Sequence, residues 1–396
     1  MAARMAKKAA KRTRSSESKA RTRTRAAGSY APEGSSRAKG GARPHTVARR
    51  LLPWFEAEAR DLPWRETRDP YRIWVSEVML QQTRVETVRE YYGPFLERFP
   101  DLPALAEASV DEVVGQWSGL GYYRRARLLH KGAQYVHRTL EGQLPSRASE
   151  LLAVPGIGPY TAGAIASIAF DQPDPLVDGN VARVVSRLLA IEDPKAQPAS
   201  AKGHWGYVEE VLAHGSPRIL AQALMELGAT VCTPRSPKCH ACPLARSCAA
   251  KRDGLEAEIP APKVKKKSPE SDFVALALYW RDTLILERRA PEGILGGMWC
   301  LPLAELPAKA TPAQVAAAAT AHFGVEVEVL GRVGDEPVTH VFTHRIWRLW
   351  PWRVRARKAP AMGTRPGVHG RHLCEGELPE GGIPRLTRKL LEALEG

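Results

Sequence analysis

Four cysteines, Cys232, Cys239, Cys242 and Cys248, follow one another with the spacing C-x6-C-x2-C-x5-C. No other feature limits the fold so strongly. Four thiolates this close in sequence demand a compact loop around one tetrahedral metal ion or one cubane iron–sulfur cluster. Pro234, Pro237 and Pro243, with Arg235 and Lys238 between them, suit a loop that turns sharply around such a centre. A disulfide framework fits poorly, because no secretory signal is recognisable and 396 residues are enough to build cores without staples. Spacing alone does not choose between zinc and a cluster.

Charge narrows the partners. The formal net charge is +15, and residues 1–44 hold 13 Lys/Arg against 2 Glu, so this tail supplies +11 of it. Such a balance points to a polyanion, most often nucleic acid. The tail itself reads as a disordered, solvated arm that adds non-specific DNA affinity through counterion release. Its Arg, Ser and Ala content also resembles an organelle transit peptide. Abundant Lys and Gly favour instead a bacterial, cytoplasmic, nucleoid-associated protein. No run of eighteen apolar residues occurs, so no membrane span is expected. A monomer is expected.

The chain divides by texture into four parts. Residues 1–44 form the tail. Residues 45–250 read as an all-α domain of amphipathic helices, broken at prolines such as Pro53, Pro63, Pro94 and Pro100, and closed by the cysteine loop at 232–248. Residues 251–270 are polar, charged and proline-bearing, as a linker is. Residues 271–396 read as a small α/β domain. FVALALYW, TLILERR, VEVEVLG and THVFTHRIWRLW are its strand segments, and TPAQVAAAATAHF and PRLTRKLLEALEG its helices. Cys300 and Cys374 read as structural.

Three segments carry candidate chemistry. In the first, Trp74, Val78, Val85, Val88, Tyr92 and Phe95 recur at helical spacing, and Glu77 lies on the same apolar stripe. Burial there raises a carboxyl pKa, which suits a general acid near neutral pH. In the second, VPGIG (154–158) is a tight turn between helices. Its glycines permit close backbone approach, and the next helix opens with free N–H groups, which together suit a sequence-independent phosphate clamp. In the third, Asp178 of LVDGNVARVV stands at a helix start, where it also fits an ordinary N-cap. Paired with Glu77 it offers the two carboxylates of glycosidic cleavage. Arg124, Arg125, Arg127 and Lys131 add a basic stripe suited to phosphate contacts.

The order of these parts resembles the helix-hairpin-helix DNA glycosylase superfamily in its iron–sulfur branch. SEVMLQQT (76–83), GLGYYRRARLLH (119–130), VPGIGPYTAGAI (154–165), DGNVARV (178–184) and the cysteine spacing resemble the MutY-type adenine DNA glycosylases in particular. FVALALYW, LILERRAPEGILGGMWCLP and HVFTH resemble the Nudix-like domain of that family. Ala317–Gly324 reads AAATAHFG and lacks the metal-binding glutamates of a working Nudix hydrolase.

The resemblance implies a fold and a reaction. The fold is an all-α helix-hairpin-helix glycosylase domain with an iron–sulfur loop, plus an α/β Nudix-like domain. The four cysteines would hold one [4Fe–4S] cluster. The enzyme would cleave the N-glycosidic bond of adenine opposite 8-oxoguanine or guanine in double-stranded DNA. Glu77 would protonate adenine, and Asp178 would face the oxocarbenium ion. Tyr160 stands where bifunctional relatives carry a nucleophilic lysine; a phenol forms no Schiff base, so the enzyme would be monofunctional, with Tyr160 supporting the reacting carboxylate. Trp64, Arg65, Leu80 and Gln222 would line the adenine pocket. Gln82 and Tyr122 would wedge into the duplex, with Val154, Gly156 and Gly158 on the backbone. Phe342-Thr343-His344 matches the Phe-Ser-His loop that reads 8-oxoguanine, with Thr keeping the hydroxyl.

Rival readings differ in testable features. An endonuclease III-like enzyme shares the scaffold but uses the missing lysine and lacks the second domain. A DNA-binding protein with a zinc loop would leave Glu77 and Asp178 without a task. A nucleotide-pool Nudix hydrolase is opposed by the missing glutamates.

Overall fold

The computed structural model describes residues 41–192, 202–261, 267–281, 283–361, 368–374, 379 and 382–395. All of them belong to one compact unit, Arg37–Gly396. The basic tail, apart from residues 41–44, lies outside the described residues. Among those described, no helix is long and apolar enough to cross a membrane.

The first domain is built from α1 (Pro44–Glu58), α2 (Pro70–Leu80), α3 (Val85–Arg98), α4 (Leu102–Glu107), α5 (Val110–Gln116) and α6 (Arg124–Thr139). It continues with α7 (Ala148–Leu151), α8 (Pro159–Phe170), α9 (Gly179–Leu189), α10 (Lys202–Leu212), α11 (Pro217–Thr230) and α12 (Ala249–Asp253). Side-chain caps start several of these helices. Asp69 accepts from the amide of Tyr71, Ser216 from that of Ile219, and Ser109 with Glu112 forms a reciprocal box.

Helix α2 is the axis of this domain. Ile73 to Met79 are all buried, as expected of a helix apolar on every side. Trp74 and Val78 join Val88, Phe95 and Trp117 in one core cluster, and Ile73 joins Val181, Val184, Leu220 and Leu224 in another. Polar side chains between Ile73 and Met79 are therefore buried, and Glu77 is one of them.

Two expectations are corrected here. The stripe from Trp74 to Phe95 is not one helix. Gln82 takes φ +60°, a left-handed conformation that no right-handed helix contains, and the chain restarts at Val85. Pro53 and Pro94 are not breaks either. Both sit inside helices, α1 and α3, on exposed positions where the lost backbone bond costs least.

The second domain is a mixed sheet of β1 (Glu270–Trp280), β2 (Thr283–Arg289), β3 (Trp299–Cys300), β4 (Leu303–Ala304), β5 (Val327–Arg332), β6 (Val338–Phe342), β7 (Arg345–Ala356) and β8 (Val368–Cys374). The order is β3-β2-β1-β7-β5, with β4 on β1, β6 on β7 and β8 on β2. β1 and β7 run parallel, and the other pairs are antiparallel. Alternation along β1 sends Val274, Leu276 and Leu278 to a core shared with α13 (Pro312–Phe323). Ala275 and Ala277 face the opposite core, with α14 (Arg385–Glu395).

The segment THVFTHRIWRLW is a hairpin rather than one strand. Phe342 pairs with Arg345, and Thr343-His344 forms the two-residue turn. No Asn-Gly or Asp-Gly pair marks this turn, so the sequence pattern hides it.

Beyond residue 250, α12 continues to Asp253 and Ile259 is buried, with Arg187 Nε donating to the Ile259 carbonyl at 2.7 Å. The two domains also share a core. Met298 and Cys300, buried in the second domain, belong to the cluster built on Trp74 and Trp117. Arg288 Nη1 reaches Asp111 Oδ2 at 2.9 Å, and Ser118 Oγ donates to the Ile383 carbonyl at 3.2 Å.

Candidate active site

The start of α9, the start of α8, the core-facing side of α2 and a face of α11 enclose a cavity of about 700 Å³. Glu77, Tyr160 and Asp178 all border it, although they come from three different helices. Trp64, Arg65, Leu80, Gln82, Gly156, Gly158 and Gln222 line it too.

The two carboxyl groups have contrasting surroundings. Asp178 is the N-cap of α9. Its Oδ1 accepts from the amides of Asn180 at 2.9 Å and Val181 at 2.7 Å, and its Oδ2 from Asn180 Nδ2 at 3.0 Å. Burial pushes its pKa up, against the pull of these bonds. Glu77 has one strong partner, Tyr160 Oη, which donates to Oε2 at 2.7 Å. Burial, reinforced by the nearby Asp178 charge, raises the Glu77 carboxyl to about 7, against the Tyr160 bond and the charge of Arg65. A carboxyl with that pKa carries a proton for much of the time near neutrality. The hydroxyl of Tyr160 thus bonds Glu77.

The turn at 154–158 is tight for packing reasons. At Gly156, φ is +86°, and a Cβ would come within 2.8 Å of Leu128 Cβ. Glycine is thus required for the turn to approach α6. Val154 does not line this cavity. Its side chain is buried, its amide donates to Leu151 and its carbonyl accepts from Ile157.

The basic stripe is corrected more sharply. Arg125 is buried, and its guanidinium donates to the carbonyls of Val78, Met79, Gln81, Leu120 and Gly121. It ties the end of α2 to the turn before α6. Arg127 Nη1 donates to the Gly296 carbonyl at 2.5 Å. Arg124 and Lys131 are exposed.

The remaining predicted residues stand elsewhere. Tyr122 is exposed, with φ +47° and its ring under the Arg125 guanidinium at 5.5 Å. Its hydroxyl meets Thr343 Oγ1, so the hairpin tip of the second domain touches the first domain there. Phe342 packs between His340 and Trp347, while Thr343 and His344 are exposed.

Cys232, Cys239, Cys242 and Cys248 line one small cavity with Arg187 and Lys251. Burial and mutual repulsion push the Cys242 thiol up to about 12. Four thiols around one cavity have the donor chemistry to hold a metal centre, with Arg187 Nη1 3.3 Å from Cys232 Sγ.

Comparison with known proteins agrees with this geometry. Residues 75–206 match the HhH-GPD superfamily of base excision DNA repair proteins, and 274–393 match the NUDIX domain. The adenine DNA glycosylase of Buchnera aphidicola subsp. Baizongia pistaciae is 35% identical over 254 residues, covering 64% of this chain and 72% of the relative. The chain belongs to the adenine DNA glycosylase family. The family member from Arabidopsis thaliana is 36% identical over 345 residues, covering 74% of this chain and 54% of the relative. The one from Homo sapiens is 47% identical over 211 residues, covering 51% and 39%. The chain thus spans about half, or less, of the length of these last two. Residues 232–248 match the iron–sulfur binding domain of endonuclease III, so this loop holds a [4Fe–4S] cluster.

Sequence reasoning missed the partners of Arg65. Glu226 lies on the cavity wall four residues after Gln222 on α11, and binds both Arg60 and Arg65. An acid at i+4 from a pocket residue in an otherwise apolar helix was the available signal. Asn180, which holds Asp178 from both its amide and its side chain, was likewise present in the DGN motif without an assigned task.

Proposed function

We propose that the chain removes adenine from double-stranded DNA in which it is mispaired with 8-oxoguanine or guanine, leaving an abasic site. The observation that carries this reading is the Glu77–Tyr160–Asp178 arrangement on one cavity wall, with a carboxyl that titrates near 7 beside one held by helix amides. Environments that push two acids into different roles define such acid and base assignments.

Adenine enters the cavity after leaving the base stack. Trp64, Leu80 and Gln222 hold it. Glu77 gives its proton to the ring, so the electron pair of the glycosidic bond leaves with a neutral base. Asp178, fixed by Asn180 and Val181, faces the cationic sugar carbon, and water completes the hydrolysis. Tyr160 has no amine, so no Schiff base forms and the strand stays intact. Gln82 and Tyr122 occupy the gap in the duplex, and the tip Phe342-Thr343-His344 reads the opposite base. Cys232, Cys239, Cys242 and Cys248 hold the cluster, which when bound cross-links the loop beside α9.

The test is incubation with duplex DNA carrying adenine opposite 8-oxoguanine, followed by alkali. Breaks that need the alkali are expected. Strand cleavage without alkali, or a borohydride-trapped adduct in high yield, would overturn the monofunctional assignment. Absence of any excision from this duplex would overturn the substrate.

A further inference from the structure

We infer that Glu226 is a positioning residue for this reaction: it pins the Arg65 guanidinium to the cavity wall beside Glu77. The inference rests on the activity proposed above.

Glu226 has a fully buried side chain, yet it lies where α11 faces the cavity, with Gln222, Met225 and Ala229 on the same stripe. Its oxygens take donors from both arginines. Arg60 Nε reaches Oε1 at 2.7 Å, and Arg60 Nη2 reaches Oε2 at 2.8 Å. The Arg60 amide adds a bond to Oε1 at 3.2 Å, and Arg65 Nη2 donates to Oε2 at 2.7 Å.

Arg60 alone already gives this carboxylate the forked, two-bond partner that a buried charge needs. The Arg65 bond is therefore beyond what satisfying Glu226 requires. It does something for Arg65 instead. That guanidinium is held by Glu226 through Nη2, by the Arg60 carbonyl through Nη1 at 2.8 Å, and by the Phe55 ring at 5.1 Å. Neither bond uses Nε. A planar donor with its charge locked at the wall suits the edge of a purine, and the same charge acts on the proton of Glu77.

The charged and titratable groups around the two acids are few. Glu77 faces Tyr160, Asp178 and Arg65. Glu226 faces Arg60 and Arg65, and Arg60 also feels Glu86. Burial would raise the Glu226 carboxyl, but the bonds and charges of Arg60 and Arg65 hold it at about 2, so it stays ionised throughout the working range. It is a fixed anchor, and Arg65 is the group it fixes.

The sign follows. Arg65 pulls the Glu77 pKa down. Releasing Arg65 lets that pKa rise, so the alkaline limb of the rate profile moves to higher pH. The experiment compares Glu226→Gln, Arg65→Gln and Arg60→Gln in the full chain. It measures single-turnover excision of adenine opposite 8-oxoguanine across pH, with cluster absorbance and circular dichroism as checks on folding. Glu226→Gln and Arg65→Gln should each move the alkaline midpoint up by roughly 0.5–1 unit. Arg60→Gln should lower thermal stability and leave the midpoint in place. The inference is overturned if the Arg65→Gln midpoint coincides with wild type, which holds even where Glu226→Gln fails to fold. It is also overturned if Arg60→Gln moves the midpoint as far as Arg65→Gln. A wild-type protein that excises nothing would defeat the proposed activity instead.

Discussion

The base cavity and the hairpin tip at 342–344 solve different problems with different physics. In the cavity, Glu77 is 4% exposed and meets a phenol, while Asp178 accepts three hydrogen bonds. In the proposed reaction, chemistry there is set by desolvation and by fixed dipoles. At the tip, Thr343 and His344 are exposed, Phe342 packs against His340 and Trp347, and the Thr343 hydroxyl meets Tyr122 Oη. In the proposed reading, recognition there depends on reach, and few contacts hold the tip. The lesson is that altering a cavity residue should change rate steeply, whereas altering the tip should change preference modestly.

The steepest break in this comparison is Glu77→Gln. It keeps the shape and removes the proton, so adenine release should fall by about 10²–10⁴-fold while mismatch binding survives. Single-turnover excision beside a binding titration measures both. Excision within a few-fold of wild type would remove Glu77 from the mechanism. In the wild type the acid is lost as pH rises through about 7, so the rate should decline on the alkaline side of that value.

His344→Ala tests the other region. Losing one good base contact costs about 1–3 kcal/mol of discrimination. The rate ratio for adenine opposite 8-oxoguanine against adenine opposite guanine should shrink, with the rate opposite guanine nearly unchanged. An equal fall on both substrates would mean that His344 supports folding rather than reading. Deleting the second domain is a poorer test, because Met298 and Cys300 belong to the core cluster that also holds Trp74 and Trp117. Their loss would leave a gap in the packing of the first domain.

Tyr160→Phe refines the cavity side. The Tyr160 bond favours the ionised form of Glu77. Removing it should move the alkaline limb upward and lower the rate by an amount worth about 1 kcal/mol, a typical single hydrogen bond. A profile unchanged in position would show that Tyr160 only packs.

The sequence made local features legible and long-range ones opaque. The cysteine spacing, the VPGIG turn and the DGN cap are each contained within a few residues, so their chemistry is written in order. Glu77 was also readable, because an acid on an apolar stripe has few places to go. The basic stripe failed because a cation count does not say where a guanidinium ends. Arg125 ends in the carbonyls at the end of α2 rather than at solvent. The Arg60–Glu226 pair spans 166 residues, and the seam of Met298 and Cys300 joins two domains. Neither leaves a local pattern, since only tertiary packing brings the parts together.

The finest expected effect lies where the two regions touch. Tyr122 Oη meets Thr343 Oγ1, and the ring that carries this hydroxyl is held at a positive φ under Arg125. Both residues are exposed, so the bond competes with water and its worth falls toward about 0.5 kcal/mol. Thr343→Ala removes it from one side and Tyr122→Phe from the other. If the bond works by holding the tip over the opposite base, each variant should lower the preference for 8-oxoguanine by roughly twofold, and the double variant should lower it no further. Thr343→Ser keeps the hydroxyl and should restore the ratio. Additive losses would mean that each side chain touches DNA separately. The cavity and the tip would then be two sites on one chain, coupled only through the rest of the domain interface.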